Sequence, residues 1–325
     1  MKRIAIVTLA LWASGCVVLG SNSLSLLQRQ RPLEETVLEG EGRAKVLVID
    51  VHEVITDSPS KRAFGLVEEE STVGRVVAEL DKAAGDDRVK AVVLRMNSPG
   101  GGVTASDEIY TELLRFKQDR KAPIVASFGD MATSGGYYIA CAADRIVASP
   151  TTITGSIGVI LMNLNLEGLL GKIGVKNQIF KAGEHKDLLS PFRPATPEEK
   201  RIVQTILDNL HGRFIAVVRE ARPQIEAKRV HDLTDGRILD AGQAQSAGLV
   251  DDIGDLRDAV EVAKKLAGLQ TARVVRYART GESPETVYSR APAGPVQVNL
   301  LPVDLGALSS GPRFMYIWAP GLSVP

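Results

Sequence analysis

Cysteine is nearly absent from this 325-residue chain, which holds two. Two thiols exclude a disulfide-stapled scaffold and a four-cysteine zinc site. Four histidines leave little material for a His-rich metal centre. A surplus of charge of one sign is missing as well, since 39 Lys and Arg balance 39 Asp and Glu. Zero net charge speaks against a broad nucleic-acid footprint, which needs excess positive charge against phosphates. There is no Walker-type phosphate loop, so nucleotide dependence is not expected, and neither a metal nor a cofactor is implied. Aromatic residues make up 5% of the chain, so a core must rest on Val, Ile, Leu and Ala. What is present, 44% apolar and 24% charged residues, suits a chain that buries a core. The length allows two average domains, or one large domain with appendages.

The chain opens with Lys2 and Arg3 and then carries no charge until Arg29. Its most apolar part, Ile4–Leu19, would span about 24 Å as a helix, short of a bilayer core of about 30 Å. Continuation through Gly20–Leu27 would complete a crossing. Three readings stand side by side: an uncleaved signal-anchor, a lipoprotein signal, and an ordinary cleaved signal. The lipoprotein reading rests on Ala13-Ser14-Gly15-Cys16, with Cys16 the lipidation candidate, although Ala13 departs from the Leu or Val usual there. In each reading Lys2 and Arg3 stay cytoplasmic and the body lies outside the cytoplasmic membrane.

Beyond a linker at 29–42, strands and helices alternate. Lys45–Val51 and Val89–Met96 read as buried strands, and Asn97–Gly102 is expected to break the second. Ser71 is placed to cap a helix with Val73, Val76, Val77 and Leu80 on one face. Ile124–Phe128 is a strand and Ser134–Ala142 a helix. Arg145–Ala148, Ile157–Leu161 and Asn177–Lys181 read as strands, and Leu166–Ile173 as helical. Thr196 and Pro197 open a long helix to about Arg222, and a last helix runs from about Gly254 to Leu266. The alternation predicts an α/β fold with a mostly parallel sheet and right-handed βαβ crossovers. The expected division is a signal or anchor segment at 1–28, the linker, a catalytic domain at 43–270 and an irregular extension at 271–325. The aromatic run Phe314–Trp318 in that extension is expected to dock on the body or on a neighbouring subunit.

Two segments carry chemistry. In Ser127–Tyr138 an apolar strand feeds a small-residue turn and then a helix. Ser134 either caps that helix or stands as a nucleophile beside free backbone N–H donors, with Gly135 and Gly136 admitting a carbonyl. Ser98-Pro99-Gly100-Gly101-Gly102 also follows a buried strand and offers N–H groups to an anion, or an edge to an added peptide strand. Two such loops at the ends of adjacent strands point to one crevice. A serine nucleophile needs a base. Of His52, His185, His211 and His231, only His185 follows a strand toward that crevice, and Lys186 is beside it. An imidazole titrates near neutrality unaided, whereas a lysine must be desolvated, so physically either could serve.

These residues resemble the signal peptide peptidase A family of its half-length bacterial type. The resemblance covers about residues 45–265. It is carried by Arg95–Gly102 (RMNSPGGG), Gly129–Asp144 (GDMATSGGYYIACAAD), Thr154–Val159 (TGSIGV) and Gly236–Asp251 (GRILDAGQAQSAGLVD). It implies a Clp/crotonase-like α/β fold and a membrane-associated serine peptidase that degrades remnant signal peptides. Ser134 matches the family nucleophile, Lys186 its general base, Gly101 and Gly135 its oxyanion hole, and Ser156 a residue that orients the lysine. The resemblance also implies a homo-oligomer in which one subunit supplies the serine and a neighbour the lysine. An anchored, uncharged site is expected to favour peptides with Ala, Leu or similar side chains near the cut. Two other classes compete: a crotonase-fold acyl-CoA enzyme, and a non-catalytic membrane-tethered peptide scaffold. A Ser134–His185 couple is a variant of the first reading.

Overall fold

The computed structural model describes residues 32–62, 67–279 and 314–318. The segment at 1–28, Cys16 included, lies outside them. In chain order the elements are β1 (Leu33–Glu39), β2 (Lys45–Ile55), β3 (Ser60–Arg62), β4 (Val67–Glu69), α1 (Thr72–Ala84), β5 (Val89–Gly102) and α2 (Val103–Arg120). Then come β6 (Ile124–Thr133), α3 (Gly135–Ala140), β7 (Arg145–Ala148), β8 (Ile153–Gly155), β9 (Ile160–Leu161), α4 (Glu167–Lys172) and α5 (Pro197–Ala221). The chain continues through α6 (Ala227–Leu233), β10 (Ile238–Asp240), α7 (Ala241–Ala247), β11 (Asp252–Ile253), α8 (Leu256–Leu266), β12 (Arg273–Arg279) and β13 (Phe314–Ile317).

The main sheet runs β1-β12-β2-β5-β6-β7-β11, parallel from β12 to β11, with β1 antiparallel at its edge. The α/β class with a mostly parallel sheet is thus what the chain adopts. Both faces of the sheet are covered, which explains why its strands read as unbroken apolar runs rather than alternating ones. Leu47, Ile49, Leu94, Ile124 and Phe128 face α1, α2 and α3, where Val76, Leu80, Ile109 and Leu113 meet them. Val46, Val48, Val93 and Val125 face the other way, onto Leu256, Ala259, Val260 and Ala263 of α8. Ser71 caps α1 by accepting from Gly74 N at 3.0 Å, and Thr196 with Glu199 forms a capping box on α5.

Several elements differ from expectation. β5 is not broken at Asn97 but continues extended through Gly102, because the end of β2 pairs with Gly100 and Gly101 on one side and β13 pairs on the other. No strand forms at Asn177–Lys181, a stretch exposed to solvent that pairs with no strand among the described residues. The 29–42 linker contains β1, and the extension from 271 contains β12 and β13. β12 lies between β1 and β2 with Val274 and Val275 buried, so the sheet extends beyond both expected boundaries.

Candidate active site

β6 ends at Thr133, and Ser134 stands between it and α3. The helix begins at Gly135 rather than at Ser134, whose backbone sits at φ 53°, ψ −115°. The side chain makes no capping bond to α3, so the residue is not serving as a plain helix cap. Two backbone bonds hold the conformation: Ser134 N donates to Gly155 O at 2.8 Å, and Tyr138 N donates to Ser134 O at 2.9 Å. The hydroxyl is buried and has no hydrogen-bond partner among the described residues. A non-glycine residue at positive φ with a buried, unpaired hydroxyl costs stability twice over, a pattern that concentrates at functional sites.

The glycine end of β5 runs alongside. A Cβ at Gly101 would collide with the Ile55 backbone, and one at Gly100 with the Tyr316 carbonyl oxygen, so glycine is required on both flanks. Gly100 and Gly101 also abut α3: the position of a Gly100 Cβ lies 2.8 Å from Gly135 N, and that of a Gly135 Cβ lies 3.2 Å from Gly101 N. The two loops therefore do meet in one crevice, with the Gly101 and Gly135 backbones side by side next to Ser134.

Ser156 arrives through β8. Thr133 and Gly155 are partners in the parallel β6–β8 register, so Ser134 and Ser156 follow at neighbouring strand ends. Ser156 also has a positive φ, 52°, and its N donates to Arg237 O at 2.7 Å. It lines a cleft of about 360 Å³ with Gly158, Ile160, His211, Asp235 and Ile317. His211 faces this cleft but is held through Nε2 by the Thr234 carbonyl at 2.7 Å.

Lys186 is not part of this cluster within the chain. It is exposed, in an irregular turn between α4 and α5, and Ser134 Oγ has neither it nor His185 as a hydrogen-bond partner. The turn itself is well braced. Asp187 binds Lys181 at 2.6 Å and Arg193 at 2.8 Å, and these two cations hold its carboxyl well below the usual range. Arg193 also binds Glu199 at 2.5 Å, holding that carboxyl near 2. Beside Lys186, Glu184, His185 and Glu198 place ligand atoms within 4.8 Å of one another at the surface and could hold a divalent cation. His52 lies at the β2–β5 register with Asn97, its pKa lowered by burial and then by Arg75. His231 is exposed near Asp232.

The model of peptidase family S49 matches residues 116–270. A candidate signal peptide peptidase SppA from Enterococcus faecium is 39% identical over 244 residues, 75% of this chain and 70% of that protein. The chain belongs to the signal peptide peptidase A family. It is a serine peptidase, and peptides are its substrate class. The chloroplastic serine protease SPPA of Arabidopsis thaliana is 34% identical over 183 residues, 56% of this chain and 27% of that one. Among solved structures, a ClpP1 mutant from Listeria monocytogenes matches with TM-score 0.42 and 17% identity, over 66% of this chain and 94% of that one.

One part of this peptidase's site was not foreseen. β13 pairs antiparallel with Gly100–Gly102 on one side and with β9 on the other. The sequence pointed to docking of Phe314–Trp318 but held no signal for where, since five apolar residues suit many sheet edges.

Proposed function

We propose that the chain is a membrane-associated endopeptidase with a Ser134–Lys186 dyad that degrades apolar peptides such as remnant signal peptides. The observation that carries the reading is the buried, unpartnered Ser134 hydroxyl in its strained turn, beside the Gly101 and Gly135 backbones. Neutral Lys186 takes the Ser134 proton as Oγ attacks the peptide carbonyl. The Gly101 and Gly135 N–H groups hold the oxyanion, each worth about 2.7–4 kcal/mol of barrier. Lys186 then protonates the leaving amine, and water hydrolyses the acyl-enzyme.

Lys186 is exposed and makes no hydrogen bond to the buried Ser134 hydroxyl in its own chain, which favours delivery by a neighbouring copy. The cleft beside Ser156 gives that side chain an entry, and Ser156 orients it there. Apolar side chains left in solvent around the Lys186 turn, among them Ile173, Val175 and Phe180, supply a surface for that copy. No helix of the described residues is long and apolar enough to cross a membrane. The membrane attachment in this reading rests on the segment at 1–28, which also places the site outside the cytoplasm.

The test is peptide hydrolysis by the full chain with Ser134→Ala and Lys186→Ala. Each is expected to lower kcat by ~10⁴-fold or more, and a serine-directed phosphonate is expected to label only chains that keep Ser134. Full activity in either variant overturns the dyad. Loss in His185→Ala with Lys186→Ala active would transfer the base to His185.

A further inference from the structure

The turn that carries Lys186 holds a cluster of polar side chains that the Ser134 site does not use. Four carboxylates lie on this turn and on the helix start that follows it: Glu184, Asp187, Glu198 and Glu199. Two of them have cations of the chain. Asp187 is bound by Lys181 and Arg193, and Glu199 by Arg193. The other two do not. The side chains of Glu184 and Glu198 form no ion pair or hydrogen bond among the described residues, and neither does that of His185. Even so, one ligand atom from each of these three lies within 4.8 Å of the other two. Two carboxylates held this close repel each other unless a positive charge stands between them.

The donor set identifies the class of that charge. An imidazole nitrogen with two carboxylates suits zinc and its first-row neighbours, whereas calcium and magnesium take oxygen ligands. Three protein ligands and a water make a common zinc environment. Donors about 2.1 Å from a tetrahedral ion stand about 3.4 Å apart, so the three need to close by at most about 1.4 Å. Glu184 and Glu198 are exposed, so their side chains have room to turn that far, and His185 is half-buried. The backbones behind them are already fixed. Lys181 Nζ donates to Glu184 O at 2.7 Å and Leu188 N to His185 O at 3.0 Å, while the Thr196 capping box holds the helical turn of Glu198. The scarcity of histidine excludes a His-rich centre, but this site needs one imidazole only.

We propose that Glu184, His185 and Glu198 bind a divalent transition-metal ion of the zinc class, which staples the Lys186 turn to α5. The Arg193 clamp joins residue 187 to residue 199, and the ion joins residues 184 and 185 to residue 198. Lys186 then stands between two tethered neighbours, and the backbone on both sides of it loses freedom. The binding site stands on its own geometry; its bearing on catalysis rests on the reading of Lys186 as the base. The ion acts there through position alone, by holding the turn that is offered to a neighbouring copy.

The experiment is calorimetric titration of Zn²⁺ into the full chain carrying Ser134→Ala, which reads binding without activity. One ion per chain is expected at this site. Adding Glu184→Ala, His185→Ala or Glu198→Ala is expected to raise Kd about 100-fold or more, beyond what loss of an outer partner costs. Glu261→Ala, which removes an exposed carboxylate of α8, is the control and leaves Kd unchanged. Mg²⁺ and Ca²⁺ are expected to bind at least about tenfold more weakly than Zn²⁺. At ten times Kd, Zn²⁺ is expected to slow amide exchange at 181–190 about tenfold, and to leave it unchanged in the Glu198→Ala chain. No saturable binding, one Kd for the three variants and the control, or one Kd for Zn²⁺ and Mg²⁺ overturns the site. Binding without slower exchange overturns the staple. Full peptide hydrolysis by the Ser134→Ala chain would overturn the peptidase reading instead, and the zinc titration would still decide the site.

Discussion

Ser134 is kept at a cost that its neighbours cover. Its φ of 53° is one that an L-residue rarely adopts, and its hydroxyl is buried without a partner among the described residues. Removing the hydroxyl removes an unsatisfied polar group, so Ser134→Ala is expected to stabilise the fold by about 1 kcal/mol. Ser134→Gly should add about 1 kcal/mol more by releasing the backbone. Thermal melts read both, and a Tm below that of the unaltered chain in both variants would show that the residue is not strained. Glu79 offers a second test at this scale. It is buried on α1 with Arg75 at 3.1 Å, and burial outweighs that cation, pushing its pKa up to about 7 from an ordinary 4.5. The folded state therefore binds a proton between those values that the unfolded state has lost. The resulting stability is fully present below the unfolded pKa and disappears as pH rises through about 7; it amounts to about 3 kcal/mol at most. Glu79→Gln is expected to flatten denaturant stability between about pH 4.5 and 7. An unchanged slope would mean that Arg75 keeps the carboxylate charged throughout.

Among the elements, the ones legible in the sequence were those whose residues settle their own environment. Lys45–Val51 and Val89–Met96 announce buried parallel strands because both faces must be apolar, and Thr196-Pro197 announces a helix start because the cap and the fixed proline φ are local. What stayed hidden depends on distant partners. The Pro-Gly-Gly of β5 is a turn sequence by composition, yet it remains extended because Ile55 and Tyr316, remote in the chain, press on it from both sides. β12 was unreadable for the same reason, since its place between β1 and β2 is set by pairing. The turn that carries Lys186 lies outside such pairing and is held by local backbone bonds, such as Lys186 N to Gly183 O at 3.2 Å, and by a side-chain clamp. Arg193 bridges Asp187 and Glu199, and Glu199 also accepts from Thr196 N at 2.8 Å. Arg193→Ala leaves the buried Glu199 without its cation and frees the turn while the sheet core stays intact. The expected outcome is faster amide exchange at 181–196 and at least tenfold lower kcat, with Tm changed little. Unaltered exchange and activity would show that the clamp does not position Lys186.

For the whole molecule, one arrangement has to reconcile a serine that is buried with a lysine that is exposed in the same chain. The family resemblance points to both residues, but spacing says nothing about which copy of the chain would bring them together. Folding puts Ser134 at the end of β6, inside the crevice, and puts Lys186 on a turn surrounded by exposed Ile173, Val175 and Phe180, which is 87% accessible. Zero net charge adds no long-range repulsion between copies. On the proposed reading, each copy lends its turn to the next in a head-to-tail contact, and where the rotation closes into a ring every interface would hold one complete site. A distinctive consequence follows from mixing two inactive forms. An interface works when its serine comes from a Lys186→Ala chain and its lysine from a Ser134→Ala chain, which occurs at about one quarter of interfaces in a random ring. Dissociating and reassembling equal amounts of the two variants is therefore expected to restore about a quarter of the parent activity. If the dyad formed within one chain, no mixture could regain any. If exchange of subunits is verified by mass and activity stays at zero, the shared site is refuted, and a movement of the Lys186 turn onto its own Ser134 becomes the required alternative.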